Sequence, residues 1–114
     1  MEIQQFTHDD RTEVRLKGEL ALSSSPELRK ALLELVSSRT PYIVINLEAV
    51  PYVDSSGLAT LIECMKGVNE YQGRLQLTGV NPRIWQLFEL VRLDKAFEMQ
   101  RGTDGPGVAE GTGG

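Results

Sequence analysis

The chain has 114 residues, 40% of them hydrophobic and 25% charged, and a formal net charge of −4. That length supports one modest core and no second domain. The acidic balance argues against a nucleic-acid surface and against docking on anionic lipid, which both need clustered positive charge. No run reaches the roughly 18 apolar residues of a membrane span. Met1-Glu2-Ile3-Gln4 has no basic or apolar targeting pattern, so a cytoplasmic location is expected. The single cysteine, Cys64, forbids an intrachain disulfide and fits a reducing compartment.

Taken in order, residues 2–7 and 12–20 predict two strands joined by the polar turn His8-Asp9-Asp10-Arg11. The second alternates through Val14, Leu16, Gly18 and Leu20, which buries one face. Ser23-Ser24-Ser25-Pro26-Glu27 predicts a helix start, with Pro26 in the first turn and Ser24 and Glu27 at capping-box spacing. The helix runs to about Ser38 and buries Leu28, Leu32, Leu35 and Val36. Residues 42–47 are almost continuously apolar, the mark of a central strand beside a parallel neighbour. Leu58, Leu61, Ile62, Met65 and Val68 then recur at helical spacing toward Gln72, with Gly73 as the expected stop. Gly67 inside that helix costs about 1 kcal/mol relative to alanine, and close packing would account for it. Arg74–Gly79 reads as a third alternating strand. Asn81-Pro82 opens a helix with Ile84, Leu87, Phe88 and Val91 facing inward and Trp85 beside them. Ala96–Met99 reads as a short edge strand. From Arg101 to Gly114 glycine dominates, and a flexible tail is expected over 101–114 after a domain spanning 1–100.

The order of elements gives an α/β domain with a small mixed sheet. Right-handed crossovers place its helices mainly on one face. The polar helix starts Ser23–Ser25, Asp54–Ser56 and Asn81 should then share the carboxyl edge of the sheet, where open α/β sheets bind ligands. Asp54, Ser55 and Ser56 lie at a helix N-terminus, where unpaired N–H groups and partial positive charge gather. Gly57 in the first turn would let another chain or a phosphate approach. The two hydroxyls can cap the helix or accept a phosphoryl group, and spacing alone leaves both open.

Catalytic chemistry has little to work with. The only histidine, His8, sits in a turn, Cys64 falls beside Met65 near an apolar stripe, and no metal-ligand spacing occurs. No catalytic residue, metal or cofactor is expected, and the chain reads as a non-enzyme.

The stretch Leu47-Glu48-Ala49-Val50-Pro51-Tyr52-Val53-Asp54-Ser55-Ser56-Gly57-Leu58 closely resembles the signature segment of STAS domains, and within them the anti-sigma-factor antagonists. The match continues through Gly18-Glu19-Leu20, Leu77-Thr78-Gly79-Val80-Asn81-Pro82 and Leu87-Phe88-Glu89-Leu90, covering about residues 2–100. The resemblance implies a STAS fold. It also implies that Ser55, with Ser56 as second choice, is phosphorylated by a partner that is both anti-sigma factor and serine kinase. The unmodified form would bind that partner and free the sigma factor, the modified form would release it, and a PP2C-type serine phosphatase would restore it. Partner binding would involve Asp54, Ser55, Ser56, Gly57, Leu58, Ala21, Ser23 and Asn81. Many relatives carry an acidic residue directly after Gly-Glu-Leu; Ala21 stands there instead, which bears on the identity of the partner. The resemblance also permits a non-switching scaffold subunit of a lipid-transport or stress-signalling complex, with the serines serving only as caps, or a nucleotide-binding role.

Overall fold

The computed structural model describes residues 1–102. Strands β1 (Glu2–His8) and β2 (Arg11–Lys17) form an antiparallel hairpin whose register runs from Glu2 opposite Lys17 to His8 opposite Arg11. Strands β3 (Tyr42–Ala49), β4 (Arg74–Val80) and β5 (Glu98–Arg101) follow in parallel, so the mixed sheet has the order β1-β2-β3-β4-β5. Helices α1 (Ser25–Ser37), α2 (Ser55–Glu70) and α3 (Pro82–Leu90) provide the crossovers. Each crossover steps to the next strand in the same direction. Right-handedness therefore puts all three helices on one face.

The core lies between that face and the helices. Val14 and Leu16 from β2, Ile43, Ile45 and Leu47 from β3, and Leu75 and Leu77 from β4 meet Leu28, Leu32, Leu61, Val68, Ile84 and Phe88. The opposite face of the sheet is polar: the Glu13 carboxylate accepts from Asn46 Nδ2 (3.0 Å), and the Tyr42 hydroxyl donates to Gln76 Oε1 (2.6 Å). Gly67 is where α1 crosses α2; a Cβ there would lie 2.7 Å from Val36 Cγ1, so glycine permits the approach. Arg29 on α1 clamps Glu63 on α2 through two hydrogen bonds of 2.7 and 2.8 Å.

Several expectations give way to contacts made at a distance. β2 ends at Lys17, because Gly18 takes a φ of +111° and turns the chain; Leu20 keeps only a single parallel bridge to Val53. The capping box at α1 does not form. The buried Ser24 hydroxyl instead accepts from Ala21 N–H (3.0 Å) and donates to the Glu19 carbonyl (2.8 Å), so it pins the loop before the helix. At the end of α2 the left-handed residue is Gln72 (φ +56°), not Gly73, and Gly73 N–H closes the motif on the Val68 carbonyl (2.9 Å). Val91 lies beyond the last residue of α3, exposed rather than inward. Trp85 is half-buried beneath the Arg101 guanidinium. β5 is shifted to 98–101, and Gly102 N–H still bonds the Val80 carbonyl (3.0 Å). The flexible tail expected over 101–114 therefore starts too early, and beyond Gly102 it lies outside the described residues.

Candidate functional site

The Leu47–Leu58 stretch leaves β3, bends through Val50, Pro51 and Tyr52, and enters α2 at Ser55. Val50 and Val53 are buried and anchor the bend, while Pro51 and Tyr52 are exposed. A second segment zips onto it. Leu20 N–H donates to the Tyr52 carbonyl (3.0 Å), and Asp54 N–H donates to the Leu20 carbonyl (3.0 Å).

Asp54 is the N-cap of α2, with extended backbone at φ −100° and ψ −173°. Its carboxylate is divided between two jobs. Oδ1 accepts from Gly57 N–H (3.0 Å), which caps the helix, and Oδ2 accepts from Leu22 N–H (3.1 Å), which fastens the loop ahead of α1. One carboxylate thus holds both segments of the rim.

With Asp54 as the cap, the serine hydroxyls are not needed for it. Ser55 is exposed and Ser56 half-buried, and neither hydroxyl has a hydrogen-bond partner among the described residues; Ser56 contributes only its carbonyl, to the Thr60 hydroxyl (3.1 Å). The serine-cap alternative is corrected by this geometry. Ser55 sits in the first turn, where free N–H groups and the positive end of the helix favour added negative charge.

The other sequence-predicted residues divide sharply. Gly57 is buried, and a Cβ would stand 2.5 Å from Leu20 Cγ and 2.6 Å from Leu20 O. Its absent side chain is used by the protein's own loop, not by a visiting chain or phosphate. Leu58 belongs to the core. Ala21 is half-buried, and its carbonyl accepts from Ser24 and Ser25 N–H (3.0 and 2.7 Å). Ser23 is exposed one residue beyond Leu22. Asn81 caps α3 through Ile84 N–H (2.8 Å) and donates to the Val50 carbonyl (3.2 Å), so its amide ties α3 to the bend before Ser55. The three polar helix starts do share one edge.

Two residues at this rim were not singled out from the sequence. Leu22 is 73% exposed and Tyr52 is 44% exposed, and both are held by the hydrogen bonds that build the site. Their signal was available: apolar side chains in polar connecting segments, outside any periodic stripe, have no core to enter. Behind the rim, Tyr52, Val53, Arg83, Ile84 and Leu87 line a cavity of about 170 Å³.

Catalytic chemistry is not assembled there. His8 is exposed beside Asp9 in the hairpin turn. Burial, with a smaller contribution from the charge of Glu63, pushes the Cys64 thiol up to about 12, far from the thiolate a nucleophile needs. Among the described residues there is no cluster of three His, Cys, Asp or Glu side chains suited to a metal, and no helix is long and apolar enough to cross a membrane.

Comparison with known proteins adds a lineage to this geometry. A family model described as STAS domain matches residues 2–104. An anti-sigma-B factor antagonist of Staphylococcus epidermidis is 34% identical over 104 residues, spanning 91% of this chain and 96% of that protein. Its namesake in Staphylococcus aureus is 35% identical over the same spans. The crystal structure of an anti-sigma factor antagonist from Mycobacterium paratuberculosis aligns with a TM-score of 0.79 at 25% identity, over 94% of this chain and 86% of that one. SpoIIAA in its unphosphorylated form aligns with a TM-score of 0.71 at 21% identity, over 86% of each chain. The phosphorylated form from Bacillus gives the same score and identity, over 87% of this chain and 90% of that one.

Proposed function

The chain belongs to the STAS domain family, and from that premise we propose that it is an anti-sigma factor antagonist whose binding is switched off by phosphorylation of Ser55. It is a binding module and not an enzyme. Its unmodified form engages an anti-sigma factor that is also a serine kinase. The γ-phosphoryl group of ATP passes to Ser55 Oγ, the hydroxyl proton leaves to a base of the kinase, and ADP departs. A PP2C-type phosphatase reverses the change, and the exchange takes place in the cytoplasm. The curated relatives carry the name of this activity, and SpoIIAA is known in unphosphorylated and phosphorylated forms.

One observation carries the reading: Asp54 caps α2, so the exposed Ser55 hydroxyl is left without a structural task. The partner meets a rim made of Leu22, Tyr52 and the first turn of α2, with Ala21, Ser23 and Asn81 around it. A phosphate adds about −1.5 to −2 charges at that turn. Water and the helix end accommodate them in the free protein. Inside a packed contact, next to the Asp54 carboxylate and on a chain already at −4, they are expensive. A penalty of about 3 kcal/mol weakens binding more than a hundredfold.

Incubation with the cognate anti-sigma kinase and ATP, followed by mass spectrometry of the peptides, tests the assignment. Phosphate on Ser55, absent from Ser55→Ala, is the expected result. Phosphate confined to Ser56 moves the site by one residue. An unmodified rim, with Ser55→Asp binding as tightly as the original chain, leaves a non-switching scaffold instead.

A further inference from the structure

The two edges of the sheet are built differently. β5 has four residues, meets β4 through a register shift between Leu77 and Val80, and commits Glu98 to an ion pair with Arg74. Short length, irregular pairing and charge are the devices that keep an edge from recruiting another strand. β1 lacks them. It spans seven residues, pairs with β2 from Glu2 to His8 without a shift, and contains no proline, lysine or arginine. Every residue but Ile3 is exposed, including Phe6 at 46%.

The turn also sets which backbone groups face outward. Asp9, at φ +57°, and Asp10 form a two-residue loop closing on the His8–Arg11 pair. In such a hairpin the closing pair exchanges hydrogen bonds, and bonded pairs then alternate along the ladder. Glu2, Gln4, Phe6 and His8 therefore spend their N–H and C=O groups on β2. Ile3, Gln5 and Thr7 aim theirs at the open edge.

We propose that β1 is a self-association edge, to which a second copy of this chain adds its own β1 antiparallel about a two-fold axis at Gln5. In that register Gln5 faces Gln5 and Ile3 faces Thr7, so all three outward residues are paired. Glu2 faces His8 and Gln4 faces Phe6, so no like charges meet. Sliding the pair by two residues in either direction pushes an outward residue past the end of the strand. The strand is thus complementary to itself in length, hydrogen-bond phase and charge, which singles out a second copy as the occupant. The product is a continuous ten-stranded sheet with both helical layers on one side. β1 lies about 10 Å from β3 in the sheet, and the two-fold axis reverses the strands, so the Ser55 rims face opposite ends and stay open. The proposal is independent of the phosphorylation switch. Only edges meet, so the dimer is weak and concentration-dependent.

Cysteine cross-linking of the full chain tests it. Across the axis the Gln5 Cα atoms would lie about 5.5 Å apart, within disulfide reach. Those of His8, on the same strand, would lie roughly 20 Å apart. Under mild oxidation Gln5→Cys is expected to form a covalent dimer and His8→Cys is not, with buried Cys64 a bystander. Sedimentation velocity on the unaltered chain is expected to show dimer growing with concentration. Gln5→Lys, which sets two like charges face to face, should raise the midpoint at least about tenfold. Equal cross-linking by the two cysteines, association indifferent to Gln5→Lys, or a monomer at every concentration overturns the proposal.

Discussion

Two of the helices begin with serines, and they use them in opposite ways. At α1 Ser24 and Ser25 are buried: Ser24 spends its hydroxyl on Ala21 N–H and the Glu19 carbonyl, locking the loop that carries Leu22. At α2 a carboxylate one residue earlier takes the capping work, and the Ser55 hydroxyl is left facing solvent. A serine at a helix start is therefore structural or available according to what else caps the helix. The same carboxylate couples the two starts, since Asp54 also holds Leu22 N–H. The rim is a hydrogen-bonded frame around the exposed, uncommitted Ser55 hydroxyl.

The contrast can be broken by substitution, and the largest effect belongs to a residue with no side chain. Gly57→Ala drives a methyl group into Leu20, side chain and carbonyl together, where the backbone on both sides is hydrogen-bonded. A loss of about 3 kcal/mol in urea denaturation is expected. Asp54→Ala removes the α2 cap and releases Leu22 N–H; a loss of about 2 kcal/mol should appear in the same measurement, together with faster amide exchange in the loop before α1. Ser24→Ala leaves Ala21 N–H without its partner and should cost about 1.5 kcal/mol in thermal or urea unfolding. Ser55→Ala removes an exposed hydroxyl with no hydrogen-bond partner among the described residues, so stability should stay within about 0.5 kcal/mol of the original chain while phosphorylation at that position is lost. A stability loss from Ser55→Ala as large as that from Ser24→Ala would erase the distinction between the two starts.

What the sequence made legible follows from the range of the interactions involved. The elements, the central place of β3 and the helix start at Ser55 rest on periodicity and local turn chemistry, and these stood in the structure with ends moved by a few residues. The close packing at Gly67 was legible because glycine inside an apolar helix has few other uses. What local spacing could not show depends on partners far along the chain. Gly57 is set by Leu20, and Asp54 is divided between its own helix and Leu22. Ser24 matched the capping-box spacing, yet its hydroxyl turned back to the loop behind it. Leu58, read from periodicity as the first residue of the α2 stripe and from the motif as part of the partner surface, lies in the core. Leu22 and Tyr52 were passed over because a motif draws attention to its polar residues, whereas the proposed docking rim also carries exposed apolar ones.

The central claim is that negative charge on Ser55 destroys a contact without disturbing the fold beneath it. Isothermal titration of the cognate anti-sigma factor into the unmodified chain and into the stoichiometrically Ser55-phosphorylated chain measures this directly. Affinity more than about a hundredfold weaker for the phosphorylated chain, with both forms unfolding at similar temperatures, is the predicted result. Indistinguishable affinities of two equally folded forms would contradict it.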